Sequence, residues 1–126
     1  MLKVILYTSD AKLENVEIDI LIDKARVKNK RLGITGFLVC HLNGFIQLIE
    51  GEEEAIDGLM NEISADDRHS NVRIKESSFA EQRKFPDWEM GLMTISDTEP
   101  YYNQSEGESL VEIFCKNVNG TLAEIA

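Results

Sequence analysis

Three polar side chains fall where the sequence pattern is otherwise apolar: Tyr7, Asn29 and Gln47. A buried polar group needs a partner, either another such group or a ligand. A phenol and a primary amide each donate and accept, so Tyr7 and Gln47 can form a hydrogen-bond relay. The residues alone leave a second reading open, in which the Tyr7 hydroxyl reaches solvent and Gln47 satisfies nearby backbone. Asp66-Asp67-Arg68-His69 sets carboxylate, guanidinium and imidazole close together. That run either ends a helix in solvent or forms a polar rim for the sugar or phosphate of a ligand whose flat part enters between helices. Trp88 and Met90 read as neighbours on one strand face, with packing as their ordinary role.

Enzymatic pairings are poorly supported. His41 and His69 are the two histidines, and neither has metal-ligand spacing with Cys40 or Cys115. His41 reads as a surface residue at a strand end, and Cys40 as a small buried strand residue. Glu52, Glu53 and Glu54 read as helix-start charge, since nothing separates their pKa values into an acid and a base. Neither a persuasive nucleophile nor a glycine-rich phosphate loop is legible, which ranks acyl or phosphoryl transfer last.

The elements that position these groups follow from periodicity. Leu2, Val4 and Leu6 alternate with Lys3, Ile5 and Tyr7 as a first strand. Asn15 reads as an N-cap, and Ile18, Leu21, Ile22 and Ala25 form the apolar stripe of a helix with basic residues at its C-terminal end. Gly33 and Gly36 bracket a turn into a strand over residues 37–42. Asn43-Gly44 predicts a two-residue hairpin turn and a returning strand over 45–49. Phe45, Gln47 and Ile49 share one face of that strand, and Ile46 and Leu48 the other. Ala55, Ile56, Leu59, Met60 and Ile63 mark a second helix, Val72 to Glu76 a fourth strand, and Trp88 to Met93 a fifth.

The order βαββαββ predicts an α/β ferredoxin-like sandwich: a five-stranded mixed sheet with two helices on one face. Residues 96–108 read as a polar linker. Leu110, Val111, Phe114, Val118, Leu122 and Ile125 mark an amphipathic helix, with Asn119-Gly120 as a candidate interruption. This helix is expected to cap the face the first two leave open, with a helix–helix dimer contact as the competing use. The expected division is a core over 1–93 followed by linker and helix over 94–126.

Of the 126 residues, 13 are Lys or Arg and 23 Asp or Glu, giving a formal net charge of -10. That balance argues against a nucleic-acid binder. No apolar run is long enough for a membrane span, the start shows no signal-peptide pattern, and the cysteine usage fits a reducing, cytoplasmic setting.

The ordered motifs resemble the BLUF family of flavin-based blue-light sensors. They are Tyr7-Thr8-Ser9, Asn29, Gly33-Ile34-Thr35-Gly36, Gly44 to Gly51, Asp66 to His69, and Arg83 to Met90, spanning roughly residues 1 to 93. The resemblance implies a non-covalent flavin between the two helices, FAD with FMN as the alternative. It implies that Tyr7 and Gln47 are the photoactive pair, with Trp88 and Met90 as readers of the Gln47 state. It places Tyr7, Asn29, Gln47, Arg68, His69 and Asp66 around the flavin. Two departures stand out: Ala25 and Lys28-Asn29 replace the family's usual Ser and paired Asn, and Glu89 replaces a small or polar residue. Lys28 is in reach of a ligand phosphate.

The resulting expectation is a non-enzymatic photoreceptor signalling to a separate downstream protein, with a homo-oligomer formed through an apolar face. The competing expectation is a light-insensitive ferredoxin-like module that binds a ligand or a protein.

Overall fold

The computed structural model describes residues 1–10, 15–42, 44–66, 70–102 and 107–125. Its elements run β1 (Leu2–Asp10), α1 (Asn15–Leu32), β2 (Thr35–His41), β3 (Gly44–Gly51), α2 (Glu53–Ala65), β4 (Ser70–Ala80), β5 (Gly91–Thr94), and α3 (Leu110–Ile125). The sheet order is β4-β1-β3-β2-β5. Every pairing is antiparallel except β2 with β5, which is parallel. This is the predicted ferredoxin-like arrangement, with β5 added beside β2.

Local chemistry explains the element boundaries. Gly33 takes a positive φ of 69° just past α1. Ile34 N–H then donates to Asn29 O at 2.9 Å and Gly33 N–H to Lys30 O at 3.4 Å, satisfying carbonyls that a helix end leaves open. This closure fixes Asn29 in the last turn. At α3, Ser109 Oγ accepts from Glu112 N–H at 3.0 Å while Glu112 Oε2 accepts from Ser109 N–H, a reciprocal capping box. Helix α1 begins at Asn15 itself. The cap expected from that side chain, the Asn43 turn position, and Asp67, Arg68 and His69 all lie outside the described residues.

Strand alternation divides the interior as predicted. Val4, Leu6, Phe37, Val39, Ile46 and Leu48 face α3, where they pack with Phe85, Val111, Phe114 and Val118. Ile5, Tyr7, Leu38, Phe45 and Ile49 face α1 and α2, packing with Ile22, Ile56 and Met60. The C-terminal helix therefore caps the open sheet face, and it runs through Asn119-Gly120 without a break.

Two expectations need correction. The polar stretch read as a linker contains a 3₁₀ turn at Glu99–Tyr101, and its Tyr101 is buried against Phe114 with ring centroids 5.8 Å apart. The fifth strand is shorter than residues 88–93, because its pairing with β2 begins only at Phe37↔Gly91. Residues 83–90 instead form an irregular crossing: Phe85 belongs to the α3-side core and Met90 to the α1/α2-side core. A segment that changes faces cannot keep Trp88 and Met90 on one strand surface.

Candidate functional site

Strand register places Tyr7 directly opposite Gln47. Directly opposed residues in an antiparallel pair project on the same side, so these two side chains meet although 40 positions separate them. Tyr7 Oη donates to Gln47 Oε1, and Gln47 Nε2 donates to Met90 Sδ at 3.1 Å. Tyr7 is 1% exposed and Gln47 8%. Burial pushes the Tyr7 phenol well above its ordinary range, because a phenolate there would lose its hydration. The pair is thus a neutral, directional relay ending on a soft, weak acceptor.

Gln47 also faces a cavity of about 200 Å³ between α1 and α2. Leu21, Ile22, Leu38, Phe45, Leu59 and Ile63 supply apolar walls, while Lys28, Asn29, Glu62 and Asp66 supply polar ones. Lys28 Nζ and Glu62 Oε2 form an ion pair linking the two helices. Tyr7 lies behind Gln47 and is not itself on the wall.

Asn29 has a second task. Its Nδ2 donates to Glu89 O at 2.7 Å, and Arg26 Nε donates to Met90 O at 2.9 Å. The C-terminal half of α1 therefore both lines the cavity and holds the backbone that presents Met90. Met90 is 2% exposed. Trp88 points elsewhere: it is 40% exposed and meets Phe37 edge-on, with centroids 5.5 Å apart.

Of the residues singled out in the sequence, the structure brings Tyr7, Gln47 and Met90 together, and gathers Lys28, Asn29 and Asp66 around the cavity. It separates Trp88 from them. Arg68 and His69 lie outside the described residues. The Cys40 thiol is pushed up to about 11 by burial, which suits a packed strand residue rather than a nucleophile.

Sequence reasoning missed Arg26 and the buried Glu50. The signal for Glu50 was present in the strand alternation: it follows Ile46 and Leu48 on the same face, where a carboxylate is out of place. Its oxygens accept from Thr35 Oγ1 at 2.9 Å, Lys84 N–H at 2.7 Å and Phe85 N–H at 2.8 Å.

Fold and site together define an α/β ligand-binding domain whose cavity borders a buried phenol–amide relay. The model of the BLUF family, sensors of blue light using FAD, matches residues 2–91, and the chain belongs to that family. Its flavin-binding module is a photosensor and not itself catalytic. The solved dark-state structure of the BLUF protein BlrB is 30% identical, with a TM-score of 0.79, covering 95% of this chain and 96% of that one. Klebsiella pneumoniae BlrP1, solved with FMN and cyclic diGMP, is 31% identical with a TM-score of 0.70, covering 90% of this chain and 30% of that one. The photoactivated adenylate cyclase subunit beta of Euglena gracilis is 36% identical over 66 residues, 52% of this chain but 8% of the cyclase subunit. No helix among the described residues is long and apolar enough to cross a membrane.

Proposed function

We propose that Tyr7 and Gln47 form the light-operated switch of this chain, that Met90 reads the switch, and that FAD is the flavin it holds. The observation carrying this reading is the continuous relay from Tyr7 Oη through the Gln47 amide to Met90 Sδ, with Gln47 also on the cavity wall.

The cavity suits a flavin. Its volume falls below the roughly 300–1,000 Å³ typical of whole-ligand pockets, so it suits the flat ring with the remainder running outward. Apolar walls from α1, α2 and β2 flank such a ring, while Asn29 and Gln47 meet its polar edge. Lys28 is placed to exchange Glu62 for a ligand phosphate, since a partly exposed ion pair contributes only about 0–1 kcal/mol. Arg68, His69 and Asp66 complete the polar contacts in this reading, with Tyr7 acting on the ring through Gln47. FMN shares the ring and one phosphate; the flavin released from purified protein, identified by mass spectrometry, decides between them.

A bound flavin supplies blue-light absorption and an excited state able to accept an electron. Tyr7 is the electron donor, and its proton has Gln47 Oε1 as the adjacent acceptor. Rotation or tautomerisation of the amide then changes what Gln47 presents to both neighbours. Rotation sets Oε1 against Met90 Sδ, two acceptors face to face, so Met90 must shift. Met90 immediately precedes β5, and its displacement passes toward residues 95–102 and α3. Trp88 acts in this scheme from the outer side, through its packing on Phe37. A separate signalling protein, or altered self-association of this chain through an apolar face, receives the change in the cytoplasm. The core over 1–93 is the sensor and 94–126 its output segment.

The test is a light-minus-dark absorption spectrum. Wild-type protein is expected to bind flavin and show a reversible red shift, and Tyr7→Phe to keep the flavin but lose the shift. A normal shift in Tyr7→Phe overturns the assignment. A colourless wild-type protein unable to take up flavin favours a light-insensitive module.

A further inference from the structure

The Glu50 carboxylate has no place in the relay, lies on the opposite face of the sheet, and is 0% exposed. A buried carboxylate is costly unless its lone pairs are met by donors. Here the donors come mainly from one segment. Oε1 accepts from Lys84 N–H, and Oε2 from Phe85 N–H and from Thr35 Oγ1. Arg83 completes the clamp: it donates to Gly33 O at 2.7 Å, to Thr35 Oγ1 at 2.9 Å and to Glu50 O at 3.2 Å. The start of the irregular crossing is thereby fixed to the ends of β2 and β3.

The far end of the crossing has three hydrogen bonds of its own, one of them from a guanidinium. Trp88 O accepts from Gly36 N–H at 2.9 Å, Glu89 O from Asn29, and Met90 O from Arg26. Met90 meets the relay through its sulfur, a weak acceptor that tolerates movement. The position of Met90 Sδ therefore depends on the anchors at both ends of the crossing, the Glu50 clamp among them.

We infer that Glu50 is a positioning residue, whose carboxylate clamps Lys84 and Phe85 on one face of the sheet and so sets Met90 against Gln47 on the other. The role rests on the relay reading given above. Acceptor-only chemistry is essential to it. In Glu50→Gln, either orientation of the amide turns an NH₂ group toward the N–H of Lys84 or of Phe85, and one of the two anchors must let go.

Peroxide oxidation of methionine, read by peptide mass spectrometry, tests the clamp in the dark. Met90 and Met60 are both buried, at 2% and 6%, in the same α1/α2-side core, but Met60 belongs to α2 and not to the crossing. In flavin-loaded Glu50→Gln, Met90 is expected to oxidise about fivefold faster than in wild type, with Met60 unchanged. A general loosening of the fold would raise both rates, and that result overturns a positioning role, as does no change at either residue. In parallel, the light-induced red shift of Glu50→Gln is expected to shrink or to recover at an altered rate. A shift and recovery identical to wild type also overturn the role. Arg83→Gln, which leaves the carboxylate in place, is the milder variant, and it is expected to raise Met90 oxidation alone by a smaller factor. If Glu50→Gln does not fold, Arg83→Gln takes its place: equal acceleration at Met90 and Met60, or none at either, overturns the role. A wild-type chain that holds flavin but shows no red shift overturns the relay reading instead, while the Met90-to-Met60 ratio still judges the clamp.

Discussion

The two faces of this sheet are built from the same strands but hold opposite kinds of interior. On the α3 side, alternate residues of β1, β2 and β3 pack against Phe85, Phe114 and Val118. The charge buried there, on Glu50, is met by backbone and hydroxyl donors and serves architecture. On the α1/α2 side the same strands carry Tyr7 and Gln47, whose partners are an amide and a thioether. A backbone N–H cannot change from donor to acceptor, whereas an amide can present either. On the proposed reading one face is therefore fixed and the other switchable, and substitutions on the two should fail in different ways.

The largest separation comes from Tyr7→Phe set beside Phe114→Ala. Tyr7→Phe is expected to abolish the red shift while costing only about 1–3 kcal/mol, because it leaves one buried acceptor without its donor. Gln47→Leu should lose the native switch in the same way, removing both the amide and its tie to Met90. Phe114→Ala reverses the pattern. Its ring is 1% exposed and touches Phe85 and Tyr101, with centroids at 6.1 and 5.8 Å. Truncation should cost about 3–5 kcal/mol in urea unfolding of the flavin-loaded protein, while the red shift survives wherever the protein stays folded. Equal loss of photoresponse in both variants would erase the distinction between the faces.

Gly91 tests the seam between them. A Cβ at this position would overlap the Phe37 ring, which belongs to the α3-side core, while Met90 next door belongs to the relay. Gly91→Ala is expected to destabilise by about 1–3 kcal/mol and also to alter the recovery of the dark state. Destabilisation without any change in recovery would show that the start of β5 is not coupled to the relay.

Much of this contrast was legible in the sequence. Period-two alternation grouped Tyr7 with Ile5 and Gln47 with Phe45 and Ile49, each within its own strand, and the hairpin signal at Asn43-Gly44 predicted that β3 returns beside β2. That Tyr7 and Gln47 share one sheet face is set by the β1–β3 register. A loop over Arg83, Phe85 and Pro86 was legible, but the rest of the crossing was not, since Trp88-Glu89-Met90 has the local composition of a strand. What decides its path is tertiary: the Gly36–Trp88 bond, the Asn29 and Arg26 side chains, and the Glu50 clamp all come from distant positions. Tyr101 was hidden for a related reason, as its polar surroundings resemble a linker although its ring completes the α3-side core. Ser109 and Glu112, by contrast, form a capping pattern that could have been read directly.

The smallest expected effect concerns charge at the rim of the fixed face. His41 ends β2 on the side shared by Phe37 and Val39, and burial lowers its pKa below the ordinary 6.5, against the opposing pull of Asp10. An apolar surround disfavours imidazolium more than one nearby carboxylate favours it. The unfolded chain therefore takes up this proton first as pH falls. The neutral His41 is fully accommodated above about pH 6.5, and stability is lost progressively as pH drops from there through the folded-state value. Unfolding midpoints of wild type and His41→Gln between about pH 7.5 and pH 5.5 isolate this part of the slope. His41→Gln should lose less stability than wild type over that window. An equal or steeper loss in the variant would mean that the Asp10 carboxylate outweighs burial, and that the fixed face tolerates charge at its edge as readily as the switchable one.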